Sequence, residues 1–383
     1  MFQFATATQI VFGAGSLAEL PRLTRGFGAR VWLVLGESER HGSDVRGRLE
    51  VDGRSVSIGR VTGEPTVEDV VALVEAARAG GCEWVLAVGG GSVLDAGKAL
   101  AALLANPGDP LDFLEVVGRG QPLAKPPLPF VAVPTTSGTG AEVTKNAVLA
   151  STQHGVKVSL RHDSMLPRLA LVDPALTLSK PPALTAATGL DALTQVLEPF
   201  VSCQHNPLTD ALAREGMRRG ARALRRAYHD GSDLDARTDM ALTSVLGGLC
   251  LANAKLGAVH GFAGPIGGMF PAPHGAVCAR LLPLVVDRNI QALRARAAAP
   301  EPLERYAEVA RILTGRADAR AEDAAPWLAE LVDELRVPAL SHYGLTGSAV
   351  KDLVPKARRA SSMQGNPIVL TDDELTATLE AAL

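Results

Sequence analysis

The sequence lacks the features that mark several classes of protein. Only four of its 383 residues are cysteines, and they lie far apart with no CxxC pair. This spacing indicates neither a disulfide framework nor a cysteine metal site, so we expect buried free thiols. The net charge of −3 gives no basic surface that would favour nucleic acid or an anionic membrane. No apolar run reaches the ~20 residues that a membrane-spanning helix needs.

The beginning of the chain also lacks a targeting pattern. The stretch after Met1 is polar and carries neither the basic segment nor the apolar core of a signal peptide, which predicts a cytoplasmic protein. Hydrophobic residues make up 47% and charged residues 21%, a composition typical of folded globular chains. At ~150 residues per domain, the length predicts two domains.

The first half alternates between apolar runs and helical patterns, which predicts a parallel sheet covered by helices within residues 1–180. Helical periodicity is clear at Val67–Ala79 and Val93–Ala105. The predicted strands are Arg30–Leu35, Ser55–Val61, Trp84–Val88, Phe130–Val133 and Leu169–Val172.

The second half, residues 181–383, predicts an all-helical domain. After the Lys180-Pro181-Pro182 boundary no convincing strand occurs, and apolar residues repeat with helical spacing. The predicted helices are Ala183–Cys203, Leu208–Tyr228, Asp233–Lys255, Ala276–Ala297, Leu303–Leu313, Ala325–Leu335 and Asp372–Leu383.

Three glycines separate a predicted strand from a predicted helix. Val85–Val88 lead into Gly89–Gly91, and Ser92 opens the helix. Such a turn exposes backbone amides at the positive end of a helix, which favours a phosphate group. Ser92 and Ala99 break the Walker A pattern, and a GxGxxG fingerprint is absent. The alternative is a tight turn without a ligand.

A second polar loop follows the next strand, at Pro134–Thr144. It brings hydroxyls and glycines to the carboxyl end of a parallel strand, where α/β sheets bind ligands. Two such loops favour one shared nucleotide site, although a serine- and threonine-rich loop alone is often only a loop.

A third pattern in the helical half is typical of a divalent metal site. Asp191 and Gln195 lie four residues apart and share one helix face. Prolines stand between His260 and His274, so we expect His260 to end one helix and His274 to begin the next. One carboxylate and two imidazoles suit zinc or iron, but each histidine alone is also compatible with a structural role.

Taken together, these motifs resemble the iron-containing (group III) alcohol dehydrogenases, whose relatives include glycerol dehydrogenase, maleylacetate reductase and dehydroquinate synthase. The resemblance covers nearly the whole chain and rests on Val11–Gly15, Gly89–Ser92 with Asp95 and Lys98, Pro134–Glu142, Asp173-Pro174, Thr188–Thr194, Asn206-Pro207 with Asp210, Pro273–Gly275 and Asn366-Pro367. It implies a nicotinamide-binding α/β domain, a helical metal domain, catalysis in a cleft between them, and a homodimer.

The resemblance also implies roles for individual residues. Gly90, Gly91 and Ser92 would hold the cofactor diphosphate, with Asp95 part of the same motif, and Lys157 would lie on the nicotinamide side. The adenosine and ribose would be lined by Thr135, Thr136, Ser137 and Thr139. Asp191, His260 and His274 would bind the metal, with Gln195 at the fourth position, and His260, His274 and Lys157 are the candidates for a catalytic role.

Two positions depart from the family pattern, because Gln195 and Gly264 both stand where the family carries histidine. The metal is then held through three protein ligands, with Gln195 as a weak fourth ligand or a residue that orients water. Alternatively the site is metal-free, as in maleylacetate reductase-like members, and a histidine donates the proton. A third possibility is a catalytically degenerate copy.

The cofactor is NAD or NADP. Family members that prefer NAD often place an aspartate where Gly36 stands, which would accept the ribose 2′-hydroxyl and repel a 2′-phosphate. Gly36 removes that repulsion, while Glu37 is placed to substitute for it.

The sequence predicts reversible hydride transfer between NAD(P)H and a small alcohol, aldehyde or ketone. The alternatives are a metal-independent reductase of an oxo-acid and a nucleotide-binding homologue without turnover. A dehydroquinate synthase-like lyase is disfavoured because its histidine-rich pattern is missing.

Overall fold

The computed structural model describes residues 1–38, 40–178, 180–296 and 299–383. The chain divides into two compact units. One unit comprises Ala5–Thr136 and Gly140–Leu178, and the other comprises Met1–Phe4, Ser137–Thr139 and Ser179–Leu383.

The first unit is built on a six-stranded parallel sheet with the strand order β1-β8-β5-β4-β2-β3. Its strands are β1 (Ile10–Phe12), β2 (Arg30–Leu35), β3 (Ser55–Arg60), β4 (Trp84–Gly89), β5 (Phe130–Pro134) and β8 (Leu169–Val172). The helices of this unit are α1 (Leu20–Leu23), α2 (Gly42–Val51), α3 (Val67–Ala79) and α4 (Gly91–Ala105). The predicted parallel α/β arrangement is confirmed.

The central strand β4 shows why this sequence forms a sheet with a core on each face. All six of its residues are buried, and successive side chains of a strand point to opposite faces. Trp84, Leu86 and Val88 therefore join one apolar cluster, whereas Val85 and Ala87 join the other. A strand buried on both faces requires the continuous apolar sequence that β4 has.

An antiparallel hairpin, β6 (Asn146–Ser151) and β7 (Val156–Arg161), was not predicted. Its first strand alternates partly buried and buried residues, without a long β-branched run that would have marked it. The hairpin is fastened to α4: Lys98 donates to the Thr144 hydroxyl at 3.0 Å and to the Asn146 carbonyl.

The second unit is helical, and no strand occurs after Val172 in the described part of the chain. Its helices are α5 (Pro182–Val201), α6 (Pro207–His229), α7 (Leu234–Asn253), α8 (Ala258–Met269), α9 (His274–Arg296), α10 (Glu301–Thr314), α11 (Ala324–Glu334), α12 (Gly347–Arg359) and α13 (Asp372–Glu380). The predicted all-α half is confirmed, although α8 and α12 were not predicted. The predicted end of one helix at Ala297 lies outside the described residues.

Helix α5 lies at the centre of this unit, with all but a few of its residues after Ala186 buried. Its apolar residues, such as Leu190, Val196 and Phe200, belong to one large cluster that continues into α9. In the described part of the chain, no single helix is long and apolar enough to cross a membrane. One helix pair, α7 with α8, meets the length and composition limits together but is bent by 95°.

Candidate functional site

The loops that follow β2 and β4 lie at the carboxyl edge of the sheet, where the strand order reverses. The chain passes from β2 to β3 on one side, then crosses back to β4 on the other side of β2. Such a switch point leaves a crevice in which α/β sheets bind ligands. Gly36 directly follows β2 there, and Gly90 directly follows β4. The position Gly36 is so close to α4 that a Cβ would lie 3.3 Å from Val93 Cγ2.

The first turn of α4 offers an anion site at this crevice. Gly90 is the N-cap residue and, having no side chain, leaves the first turn without a side-chain cap. The amides of Gly91 and Ser92 begin a fifteen-residue helix whose dipole places about half a positive charge at this end. Backbone amides and a helix dipole are the elements that bind phosphates in dinucleotide folds.

The structure brings the predicted hydroxyl loop beside the glycine turn. The amide of Thr135 donates to the Gly89 carbonyl at 2.9 Å, and the Thr136 hydroxyl lies 3.4 Å from where a Cβ of Gly90 would stand. In the part of the chain that the structure describes, the buried Ser137 hydroxyl has no hydrogen-bond partner. Thr139 follows it in the same loop.

Two other predicted cofactor residues have protein partners. The carboxylate of Asp95 accepts from the Val148 amide at 3.1 Å and pairs with Lys98 at 3.1 Å. Burial raises the pKa of Asp95, against the opposing effect of Lys98. Lys157 pairs with Glu64. The contacts of Asp95 join α4 to β6, and the contact of Lys157 joins β7 to the loop before α3.

Three helices of the second unit bring Asp191, His260, His274 and Cys278 together, with their ligand atoms all within 4.8 Å of one another. Asp191 lies in the middle of α5, and His274 begins α9, as predicted. The expectation that His260 ends a helix is wrong. It lies in the first turn of α8, which the sequence did not reveal because this helix contains Pro265 and four glycines.

A glycine allows α9 to begin beside α5. An ideal Cβ at Gly275 would lie 2.6 Å from the Ala187 carbonyl oxygen, closer than any real Cβ contact. Only glycine therefore permits this approach of the two backbones, and the approach sets His274 beside Asp191.

The four atoms that converge are Oδ1 of Asp191, Nε2 of both histidines and Sγ of Cys278. The Asp191 oxygen lies 3.4 Å from His260 Nε2 and 3.7 Å from His274 Nε2. The Cys278 sulfur lies 3.8 Å from His260 Nε2 and 3.6 Å from His274 Nε2. Among the described residues, Asp191 Oδ1 is a buried atom without a hydrogen-bond partner. A buried carboxylate oxygen left in this way is well suited to a cation.

Glu198 fixes the orientation of His260. It lies two turns after Asp191 on α5, and its Oε2 is 2.7 Å from His260 Nδ1, while its Oε1 accepts from the Val259 amide at 2.7 Å. A carboxylate at Nδ1 keeps a proton there, so Nε2 is the ring nitrogen that faces the cluster. This is the usual arrangement behind a metal-binding histidine.

The electrostatics of the cluster favour a charged carboxylate. Burial by itself raises the pKa of Asp191, but His274 and His260 outweigh it and hold the pKa below its ordinary value. Burial likewise lowers the pKa of His260, yet Cys278, Asp191 and Glu198 together hold it well above the usual value. The cluster thus concentrates negative partners around two imidazoles, as a cation site does.

The two positions that depart from the family pattern behave differently. The Gln195 side chain is buried one turn after Asp191, and its Nε2 donates to the Gly138 carbonyl at 3.0 Å. Gly264 lies one turn after His260, and an ideal Cβ there would meet nothing within 4 Å. The Gln195 side chain is therefore held by the loop at Gly138, whereas the space around Gly264 is open.

Sequence reasoning missed Cys278. The expectation that no cysteine takes part in a metal site rested on the absence of CxxC, whereas Cys278 lies one turn after His274 on the same helix face. The i, i+4 spacing of the two residues was the signal that could have found it. The expectation of buried thiols is also wrong for Cys203, which is exposed.

Known proteins give a consistent comparison. Residues 7–174 match the family described as "Iron-containing alcohol dehydrogenase", and residues 185–383 match "Fe-containing alcohol dehydrogenase family, C-terminal". Long-chain-alcohol dehydrogenase 1 of Geobacillus thermodenitrificans (strain NG80-2) is 36% identical over 382 residues, covering 97% of this chain and 94% of that protein.

Two solved structures are similar over the full chain. A 1,3-propanediol oxidoreductase has a TM-score of 0.92 at 31% identity and is covered completely, as is this chain. A sulfoacetaldehyde reductase from Bifidobacterium kashiwanohense, in complex with NAD+, has a TM-score of 0.86 at 29% identity over 100% of this chain and 98% of that one.

Proposed function

Because the chain belongs to the iron-containing alcohol dehydrogenase family, we propose that it interconverts a small alcohol and its aldehyde or ketone with a nicotinamide cofactor and a divalent metal. The activity class follows from the family: the chain is an oxidoreductase of the alcohol dehydrogenase type. One observation supports the metal. Among the described residues, the buried Oδ1 of Asp191 has no hydrogen-bond partner, and it faces two imidazoles.

The cofactor end of the site is the first turn of α4. We assign the diphosphate to the amides of Gly90 and Gly91 and to Ser92, since this turn lacks a side-chain cap and has a favourable dipole. The hydroxyls beside it, those of Thr135, Thr136, Ser137 and Thr139, are assigned to the adenosine and ribose. When bound, NAD supplies the hydride acceptor or donor, and the protein contributes binding and orientation.

The exposed Glu37 follows Gly36 at the end of β2 and is assigned to the ribose 2′-hydroxyl. This assignment favours NAD over NADP, because a carboxylate there repels a 2′-phosphate. Lys157 remains a candidate for the nicotinamide side, although Glu64 already neutralises it.

The metal end is formed by Asp191, His260 and His274, whose atoms fit a divalent cation in charge, donor type and spacing. A bound ion would act as a Lewis acid on the substrate oxygen. Glu198 holds the Nδ1 proton of His260 and thereby fixes the ring. About a third of the His274 side chain is exposed, so the accessible side of the cluster is the His274 side.

Three broader features of the protein are also proposals. The division into domains is placed at 1–180 and 181–383. The protein is a homodimer, which sedimentation velocity tests. It acts in the cytoplasm on small molecules, which cell fractionation tests.

The experiment combines metal content and turnover on protein purified without a histidine tag. Reduction of NAD+ and of NADP+ is followed with short alcohols, diols and long-chain alcohols, and metals are counted by mass spectrometry. In His274→Ala, metal content should fall and kcat/KM should drop at least about a hundredfold, because a Lewis-acid ion supplies several kcal/mol.

An outcome with metal far below stoichiometry in the parent protein, together with reduction of an oxo-acid that His274→Ala retains, would overturn the metal-dependent mechanism. It would leave the metal-independent reductase that the sequence also allowed. Binding of NADH without turnover of any substrate would instead indicate the degenerate homologue.

A further inference from the structure

We propose that Cys278 is the fourth metal ligand, as a thiolate, and that it takes the place that Gln195 does not fill. The proposal rests on the metal site of the proposed function and adds the chemistry of its ligand set. The set becomes one carboxylate, two imidazoles and one thiolate, which favours zinc over iron.

The distances fit one ion with four protein ligands. Zinc lies at about 2.0–2.1 Å from nitrogen or oxygen and about 2.3 Å from sulfur, so a tetrahedron has N–O edges of about 3.3 Å and N–S edges of about 3.6 Å. The N–O distances from Asp191 are 3.4 and 3.7 Å. The N–S distances from Cys278 are 3.8 and 3.6 Å. These four of the six edges lie within a few tenths of an ångström of the tetrahedral values, and zinc can expand to a fifth ligand when the substrate oxygen binds.

The burial of the set points in the same direction. Cys278 is fully buried, Asp191 is 1% exposed, and the Asp191 oxygen that faces the cluster lacks a hydrogen-bond partner among the described residues. Leaving such an oxygen unpaired costs about 1–3 kcal/mol unless a cation or a proton meets it. Because the four ligand atoms all lie within 4.8 Å of one another, one cation can contact all of them.

Gln195 has the amide end of its side chain occupied elsewhere. Its Nε2 donates to the Gly138 carbonyl at 3.0 Å, which holds the amide on that loop. Cys278 lies on α9, one turn after His274, so one helix supplies two adjacent ligands. In the proposed set the fourth ligand therefore comes from α9 rather than from α5.

Ligation changes both protonation and metal preference. When the ion binds, the S–H bond of Cys278 breaks, the proton goes to solvent, and a bond forms between the metal and sulfur. A thiolate is a soft ligand that zinc accepts readily, whereas a purely oxygen and nitrogen set suits iron as well. The protein should therefore bind zinc tightly even where iron is supplied.

Cobalt(II) reports the ligand directly, because thiolate ligation produces a near-ultraviolet charge-transfer band beside the visible d–d bands. The apoprotein, prepared with a chelator, is titrated with Co2+ without oxygen in the parent, in Cys278→Ser and in Cys250→Ser. Cys250 is the matched control, since it is also buried in the helical unit, but its sulfur contacts the Thr209 carbonyl at 3.4 Å.

The parent and Cys250→Ser should show both kinds of band. Cys278→Ser should keep the d–d bands, lose the charge-transfer band and bind Co2+ more weakly, by more than the ~10–100-fold that loss of a supporting second-layer partner costs. In competition between Zn2+ and Fe2+, the parent should retain zinc more strongly than Cys278→Ser does.

The outcomes separate this inference from the proposed function. Visible d–d bands without a charge-transfer band in the parent overturn Cys278 ligation and leave a metal enzyme. No Co2+ binding in the parent overturns both. Should Cys278→Ser not fold, X-ray absorption of the zinc-loaded parent decides, because one sulfur at about 2.3 Å supports the inference and a shell of nitrogen and oxygen alone refutes it.

Discussion

Glu142 makes the stability of the sheet unit depend on pH. It lies in the short turn Ala141–Val143 after the hydroxyl loop, with 2% of its surface exposed. Burial raises its pKa from 4.5 to about 7, more than its own peptide amide and Lys98 lower it. In the unfolded chain the carboxyl titrates near 4.5, so between the two values the folded protein holds a proton that the unfolded chain has lost.

The sign follows from this difference. Protonated Glu142 adds to the free energy of unfolding. This stabilising contribution is complete below pH 4.5 and is lost as pH rises through about 7. At about 1.4 kcal/mol per pKa unit, the gap between the two values corresponds to a loss of about 3 kcal/mol.

Urea unfolding of the parent and of Glu142→Gln, at steps from about pH 5 to about pH 8, measures the effect. The glutamine keeps the shape without the charge, so the difference between the two proteins should change by about 2–3 kcal/mol in favour of the variant. Glu75→Gln on α3 is the control, because its carboxyl is exposed and should leave the profile unchanged. Parallel pH profiles for parent and Glu142→Gln would refute the reasoning.

Three further predictions concern the site. Glu198→Gln weakens metal binding by ~10–100-fold, because glutamine has one accepting oxygen where glutamate has two, and one of the hydrogen bonds from the His260 ring and the Val259 amide is lost. Competition with a chromophoric chelator measures the Kd, and an unchanged Kd contradicts this. Gly90→Ala keeps the melting temperature, because its Cβ meets Thr136 at an ordinary 3.4 Å. It raises the Kd for NADH at least about tenfold, because the methyl group stands where the diphosphate approaches, and equal affinities by calorimetry would count against the site. Gly264→His folds with parental thermal stability, because the space around Gly264 is open. It lowers kcat/KM for long-chain alcohols about tenfold more than for ethanol, and equal losses would show that this space does not receive substrate.

The fold was largely predictable because its two halves carry different periodicities. The five predicted strands and the helix at Val67–Ala79 follow from apolar runs and from a capping box, in which Thr66 and Asp69 exchange hydrogen bonds. Helix α8 was not predictable in the same way, because its glycines and Pro265 have low helical propensity and tertiary packing decides the outcome. Strand β6 alternates in burial but not in hydrophobicity, because the consecutive apolar residues Ala147–Ala150 occupy both of its faces.

Three of the four residues in the metal-type cluster were predicted from sequence, and the fourth was not. Asp191, His260 and His274 could be found from residue type and family pattern, and the structure brings their atoms together. Cys278 offered only its i, i+4 spacing after His274 as a signal, because a lone cysteine is usually a small apolar residue and the remaining members of the cluster come from two other helices. The role of Glu198 required coordinates as well, since its contact with His260 joins residues far apart in the chain.

The way in which the four atoms are distributed over α5, α8 and α9 has a consequence for the lifetime of the protein. An ion bound there closes one long stretch of chain, between Asp191 and His260, and a much shorter one between His260 and His274. The unfolded chain holds no such preformed site. Its binding free energy is then added to the resistance of the helical unit to opening and to proteolysis. A cell short of the metal would therefore lose the enzyme itself to degradation, and its abundance would follow metal supply as closely as its turnover does.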